Sequence, residues 1–379
     1  MSTDLIETQE DVEDLCRRLK AEAAVGVDTE FLRVRTYYPK LALVQTSTGN
    51  DIYCFDPLVE GLRLDALWDV LSDPGICKVM HAARQDMEVL LHATGIMPRR
   101  LFDTQVAAGL LGYGGQVGYA ALVETEFDVV LPKSVQRTDW TRRPLSGAQL
   151  GYAENDVRYL LPLHERLGAR LDALGRLDWA LEDSERILDP RLYEAHPEQA
   201  YRRVGRGAHL DARAQQRLKH LCAWREIAAQ SRDLPRHWVV DDETLASIAA
   251  AGPRSLEELR RVGGLRREIL RRDGEAIVAS VNERVDAAGP LWSRRMSLSD
   301  EQKALRAALI EVLSGTAAAL GIAESVLLTR SDLERLVRGA PVRDVIRGWR
   351  SGVIGPRITE VLSSALPDST VRDDRRSGA

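Results

Sequence analysis

Aromatic residues make up only 5% of this 379-residue chain, and cysteines number four: Cys16, Cys54, Cys77 and Cys222. None of the four forms a CxxC pair or stands at metal-ligand spacing from the seven histidines. A disulfide framework and a Cys/His zinc site are therefore excluded, and the pattern reads as reduced, buried thiols in a cytoplasmic protein. No run approaches 18 apolar residues, so no membrane-spanning helix is predicted. The opening stretch "MSTDLIETQEDVEDL" is acidic and lacks an apolar centre, so no secretory signal is predicted there.

What is present is ordinary in amount and uneven in placement. With 44% hydrophobic and 29% charged residues, the chain has material for two or three domains at about 100–200 residues each. Residues 1–204 carry 23 Lys and Arg against 33 Asp and Glu, a charge of −10, while residues 205–379 carry 29 against 24, a charge of +5. An acidic part followed by a basic one fits a metal-dependent catalytic domain joined to a nucleic-acid-holding one. Two unrelated solvated surfaces would give the same numbers.

Val12, Leu15 and Leu19 stand at helical spacing in "TQEDVEDLCRRLKAE" and predict an opening helix. Three strand-like runs follow, "AAVGVDTEF", "KLALVQTST" and "DIYCFDP", with a turn at "TGND" between the second and third. Helices at "LDALWDVLSD" and "QDMEVLLHATG" then alternate with strands at "CKVMHAA" and "RRLFDT". Such an order predicts a mixed α/β sheet flanked by helices. A loop, "VVLPKSVQRTDWTRRPLS", precedes a long helical region from near Ser146. Beyond residue 205 the strand signal ends and the chain repeats weakly at an offset of 88 residues: "VVDDETLASI" (239–248) aligns with "LLTRSDLERL" (327–336), and Pro253 with Pro341. Two small all-helical domains of similar fold are predicted, joined by "DAAGPLWSRRMSLS", with a disordered tail at 371–379.

Asp28 and Glu30 interrupt an otherwise apolar strand. Two residues apart, they share one face, and burying two like charges is costly unless a cation offsets them. Oxygen ligands of this kind suit hard divalent ions such as Mg²⁺ or Mn²⁺. Asp86 opens a helix just after a strand, and Tyr152 and Asp156, four apart, share a helix face. Singly, each has a plain structural explanation: a salt-bridged strand end, a residue complementing the helix dipole, one polar contact on an amphipathic helix. Together, four carboxylates at the end of one sheet would hold two divalent ions in the clamp used for in-line phosphoryl displacement. Tyr152 would orient the attacking water.

The series "VDTEFLRVRTYYPKLALVQ", "HAARQDMEVL" and "YAENDVRYLLPL", with "LFDTQVAAGLLGYG" and "DWTRRPLS" between them, resembles the motifs of the DEDD superfamily of 3′→5′ exonucleases, tyrosine subtype, and within it ribonuclease D. The resemblance covers nearly the whole chain, and the tail repeat resembles paired helicase-and-RNase-D C-terminal domains. It implies a ribonuclease-H-like exonuclease domain at 1–204, helical domains at 205–290 and 297–370, and the second of these more divergent. It also implies metal ligation by Asp28, Glu30, Asp86 and Asp156, with Tyr152 placing the water. The expected partner is RNA with a single-stranded 3′ end, precursor tRNA among the candidates, acted on by a monomer with no membrane contact. A DNA exonuclease and a non-catalytic RNA-binding scaffold are the alternatives.

Substrate-holding residues are less sharply marked. Phe31 and Leu32 directly follow the acids and are candidates for contact with the terminal nucleotide, although Phe31 on a regular strand points away from Glu30. Lys133, Arg137, Arg142 and Arg143 around Trp140 combine backbone-binding charge with a stacking ring. A solvated loop whose tryptophan packs on the domain is the alternative. His81 reads as a satisfied structural histidine and Asp103 as a helix cap.

Overall fold

The structure, a computed structural model, describes residues 3–49, 51–132, 138–284, 291 and 298–365. Six strands form one sheet: β1 (Thr3–Ile6), β2 (Ala24–Leu32), β3 (Lys40–Ser47), β4 (Ile52–Phe55), β5 (Cys77–Met80) and β6 (Leu101–Asp103). Their order is β1-β4-β3-β2-β5-β6. β3 is antiparallel to both neighbours and the other five run together. This is the mixed sheet that hairpins followed by βα units predict. The edge strand β1 went unpredicted because four residues with a single neighbour carry no periodicity to read.

Helices α1 (Gln9–Leu19), α2 (Asp65–Ser72) and α3 (Arg84–Thr94) share a core with Val25, Val27 and Val44 on one face of the sheet. On the other face lie α4 (Thr104–Leu110), α5 (Tyr119–Phe127), α6 (Gly147–Arg158) and α7 (Leu160–Ala173), while α8 (Leu177–Ile187) closes the edge against β6. The single helical region expected after Ser146 is therefore two helices. Pro162 has no N–H for the Arg158 carbonyl, and its ring crowds that turn, so the helix restarts at Leu160. A capping box starts α6: Ser146 N donates to Gln149 Oε1 at 3.0 Å and Gln149 N to Ser146 Oγ at 3.2 Å.

The remaining helices are α9 (Ala212–Ser231), α10 (Arg236–Val239), α11 (Asp242–Ala251), α12 (Leu256–Arg260), α13 (Arg267–Val281), α14 (Asp300–Leu320), α15 (Glu324–Leu327), α16 (Arg330–Val337), α17 (Val342–Val345), α18 (Trp349–Val353) and α19 (Gly355–Ala365). Ala212 and Asp300, Arg236 and Glu324, Asp242 and Arg330, and Arg267 and Gly355 start corresponding helices, each pair 88 residues apart. The repeat in sequence is thus a repeat in helix order. The 3-10 turn Pro197–Arg203 packs Ala200 and Tyr201 into the core of α9–α13. The disordered tail expected at 371–379 lies outside the described residues, as do 286–290 and 292–297 of the predicted junction.

Both units dock on the α/β domain. α9–α13 take Tyr37 from the β2–β3 loop into their core. In the second unit the Trp349 ring stacks on Trp179 of α8 with centroids 4.4 Å apart, and Arg350 makes 2.7 and 2.8 Å bonds to the Asp183 carboxylate. No helix among the described residues is long and apolar enough to cross a membrane.

Close approach of α7 to β2 depends on Gly26. A Cβ there would lie 3.2 Å from Leu160 Cβ and overlap Ser47 Oγ. Gly26→Ala should cost about 1–3 kcal/mol of stability in denaturant unfolding through overpacking. Gly49→Ala, where nothing lies within 4 Å of the new Cβ, should change it by less than about 0.5 kcal/mol.

Candidate active site

Asp28, Glu30 and Asp156 converge, each offering a carboxylate oxygen within 4.8 Å of the others. The strand face explains the first two: even-numbered residues of β2 point toward α6, and α6 in turn brings Tyr152 and Asp156 down over them. Asp86 arrives from the first turn of α3, and Thr29, on the opposite face of β2, donates its hydroxyl to Asp86 Oδ1 at 2.5 Å. All four acids and Tyr152 line one cleft of about 560 Å³.

Electrostatics follow from this crowding. Burial, and then the charges of Asp86, Asp156 and Glu30, hold the Asp28 carboxyl well above its usual range. Burial followed by Asp156 and Asp86 pushes Glu30 up to about 9. Burial lifts Asp86 and Asp156 to about 7 each, against the lowering hydrogen bonds from Thr29 and Tyr152 respectively. Tyr152 keeps its proton more tightly than an ordinary phenol, through burial and the neighbouring acids. No cation among the described lining residues answers the acids: Arg33 is spent on Glu88 at 2.5 and 3.0 Å. Oxygen donors this close, desolvated and unbalanced, fit divalent metal.

Three residues that carry no acid chemistry shape the site. Asp103 caps α4 through Gln105 N and Val106 N, and its carboxylate also accepts from Ala82 N at 3.1 Å and Ala83 N at 2.8 Å. It so fixes the β5–α3 turn, where Ala82 takes a left-handed φ of 55°, and aims Asp86. His81 has both ring nitrogens engaged, with Thr104 Oγ1 at 2.9 Å and the Val117 carbonyl at 3.0 Å, as a structural histidine should. Tyr119 was not picked out from the sequence. Its hydroxyl donates to Asn155 O and accepts from Tyr159 N, both at 3.1 Å. It thereby occupies the place of one helical hydrogen bond at the α6–α7 break, one turn from Asp156. A tyrosine in "GYAALVETEF" offers no local sign of that role. Gln45, opposite Asp28 on β3, is fully buried, and its amide has no partner among the described residues.

The candidate substrate residues divide. A register shift between Glu30 and Phe31 sets Ala42 as an extra residue on β3, and past it Phe31 and Leu32 both border the cleft. Two expectations need correction. Arg143 is not a free phosphate-gripping residue: it bonds the fully buried Asp56 at 2.5 and 2.7 Å and the Ala42 carbonyl at 2.7 Å, so it secures the bulge. Trp140 is not an exposed stacking platform. Only 2% exposed, it packs with Leu43, Cys54 and Ala153, and only its edge meets the cleft near Tyr152. Loop composition suggested otherwise because it does not reveal a buried partner such as Asp56. Arg142 is exposed; Lys133 and Arg137 lie outside the described residues.

A family profile for 3′-5′ exonuclease matches residues 3–172, and one for the HRDC domain matches residues 214–281. Ribonuclease D of Acidiphilium cryptum is 39% identical over 357 residues, covering 93% of this chain and 91% of that protein. Ribonuclease D of Xanthomonas oryzae is 35% identical, over 93% and 97%. The crystal structure of Escherichia coli RNase D, described as an exoribonuclease involved in structured RNA processing, superposes with a TM-score of 0.85 at 32% identity, covering 96% of this chain and 99% of that one.

Crowded acids make metal-free stability pH-dependent with a defined sign. At low pH the acids are protonated in folded and unfolded chains alike and cost nothing. As pH rises from their ordinary 3.8 and 4.5 through about 7 for Asp86 and Asp156 and about 9 for Glu30, the folded state must give up protons it holds more tightly. The melting temperature of chelator-treated protein should therefore fall across that window, and millimolar Mg²⁺ or Mn²⁺ should restore it. A flat profile would refute the crowding. Tyr119→Phe should lower stability by about 1–3 kcal/mol, because Asn155 O and Tyr159 N lose their bridge. It should also lower the metal-induced rise in melting temperature.

Proposed function

The chain belongs to the ribonuclease D family, a 3′→5′ exoribonuclease hydrolysing RNA, and we propose that the cleft between β2, α3 and α6 holds two divalent ions, Mg²⁺ or Mn²⁺, on Asp28, Glu30, Asp86 and Asp156. The observation that carries this reading is the approach of three carboxylates to within 4.8 Å, with no balancing cation among the described lining residues. Bound there, the ions would supply the positive charge that makes water a nucleophile near neutral pH and stabilises a departing 3′ oxygen.

The chain's own residues have distinct tasks. Tyr152 donates a hydrogen bond to Asp156, and its raised pKa keeps that proton in place near neutral pH. It therefore orients the attacking water as a hydrogen-bonding group and is no general base. The water oxygen attacks the terminal phosphorus in line, the P–O3′ bond breaks, and the shortened RNA keeps a 3′ hydroxyl while a nucleoside 5′-monophosphate leaves. Phe31 and Leu32 rest against the terminal nucleotide, and exposed Arg142 approaches the backbone. A cleft of about 560 Å³ suits an unpaired end and not a duplex. The proposed substrates are single-stranded 3′ tails of structured RNAs, precursor tRNA trailers among them, trimmed by a cytoplasmic monomer.

A labelled RNA stem with a short 3′ tail tests this. Wild type with Mg²⁺ or Mn²⁺ should shorten it stepwise from the 3′ end, stopping near the stem. Chelator or Asp28→Asn should abolish shortening, at least about 10³-fold for a metal ligand. Tyr152→Phe should lower kcat about 10²-fold or more with KM little changed. Binding without shortening under every metal condition would leave a scaffold and no enzyme.

A further inference from the structure

The chain leaves β2 beside the acids, crosses into the first helical unit and returns as β3. Phe31, Leu32, Arg33 and Val34 border the cleft, and three residues later Tyr37 is buried in the core of α9–α13. Its hydroxyl donates to Glu226 Oε1 at 2.5 Å and accepts from Arg236 at 3.0 Å and Gln230 Nε2 at 3.1 Å. Arg236 closes the circuit with two 2.6 Å bonds to Glu226, its guanidinium 4.6 Å from the Tyr37 ring centre. The backbone N–H groups of Tyr37 and Tyr38 both donate to Asp233 Oδ1, at 2.9 and 3.0 Å. Toward the cleft, Arg33 pairs with Glu88, and the Tyr38 ring lies 4.3 Å from that of His92. Both partners sit on α3, the helix that carries Asp86. The loop is thus held between the helical unit and a helix of the active site.

This grip is specific to one unit. At the positions 88 residues beyond Glu226 and Arg236 stand Ser314 and Glu324, which bond each other and offer no cation. The second unit docks on α8 by other means, away from the β2–β3 loop.

We propose that the first helical unit acts on catalysis through Tyr37: by clamping that side chain it sets Phe31–Val34, the cleft edge that receives the terminal nucleotide. Tyr37, Glu226 and Arg236 are then positioning residues for substrate, and this rests on the exonuclease reading of the cleft. A unit that merely gripped RNA would matter only for substrates long enough to leave the cleft. A clamp on the cleft edge matters for the shortest substrate too.

The experiment uses the full chain and the shortest RNA that wild type hydrolyses, beside a long-tailed RNA. Tyr37→Phe keeps the ring and removes the hydroxyl, while Glu226→Gln keeps the shape and removes the charge. Each should raise KM for the short RNA about five- to tenfold with kcat within about twofold. Their double variant should be less than additive, since both break one bond. The metal-induced melting shift should be unchanged, and Ser314→Ala in the second unit should leave KM as in wild type. KM unchanged on the short RNA in both variants overturns the proposal, whether melting falls (a lock of structure alone) or KM rises only on the long RNA (direct grip). Wild type and Asp28→Asn run alongside: no hydrolysis by wild type would overturn the exonuclease reading itself, whereas active wild type with unchanged variants overturns only the clamp.

Discussion

Mutual repulsion among buried carboxylates is the constraint around which this molecule is arranged. Asp28, Glu30 and Asp156 crowd within 4.8 Å, and Asp86 adds to their charge. A surface loop would relax by swinging one acid into water. Here none can swing far. Asp28 and Glu30 belong to an interior strand with a neighbour on each side, Asp86 is tied through Thr29, and Asp156 sits on a helix fixed at both ends. The free energy spent on holding unfavourable charge together is returned when cation binds, so rigidity in the scaffold becomes affinity at the site.

Rigidity has identifiable sources. A capping box fixes where α6 starts, and the Tyr119 hydroxyl fixes how it ends. Asp103 holds the turn that aims Asp86, and Arg143, neutralised by Asp56, holds the bulge beyond Glu30. Each joins polar groups to a partner that is buried or part-buried, and satisfied networks of this kind specify geometry. Each stands outside the cluster it serves, so loss of any one should shift an acid by a fraction of an ångström and leave the fold in place.

Strand periodicity and helix spacing made the sheet, its flanking helices and the helical repeat legible from sequence, because those features rest on local patterns of apolar residues. The acids were legible for the opposite reason: Asp28 and Glu30 break a pattern, and a break in a buried strand demands a cause. What stayed hidden depended on partners distant in sequence. Arg143 looked like a free cation until Asp56, 87 residues away, was found beside it. Tyr119 acts across 36 and 40 residues, and Tyr37 across 189. Trp140 could be read as exposed or buried, and no local spacing decides between the two.

The two helical units show how a repeated fold divides its tasks. Their helices begin at a constant offset, so the backbone plan is shared, yet the side chains at the contact with the α/β domain differ in kind. In one, a Glu–Arg pair with its carboxylate buried receives a tyrosine hydroxyl; in the other, stacked indoles and an Arg–Asp pair meet α8. An ion pair with a buried carboxylate is a poor source of net stability compared with apolar packing, but it is sensitive to its partners' geometry. Both contacts contain such a pair, and the stacked indoles add apolar area to the second. Under the proposed clamp, the ion pair of the first unit bears on the cleft edge, whereas that of the second bears on α8.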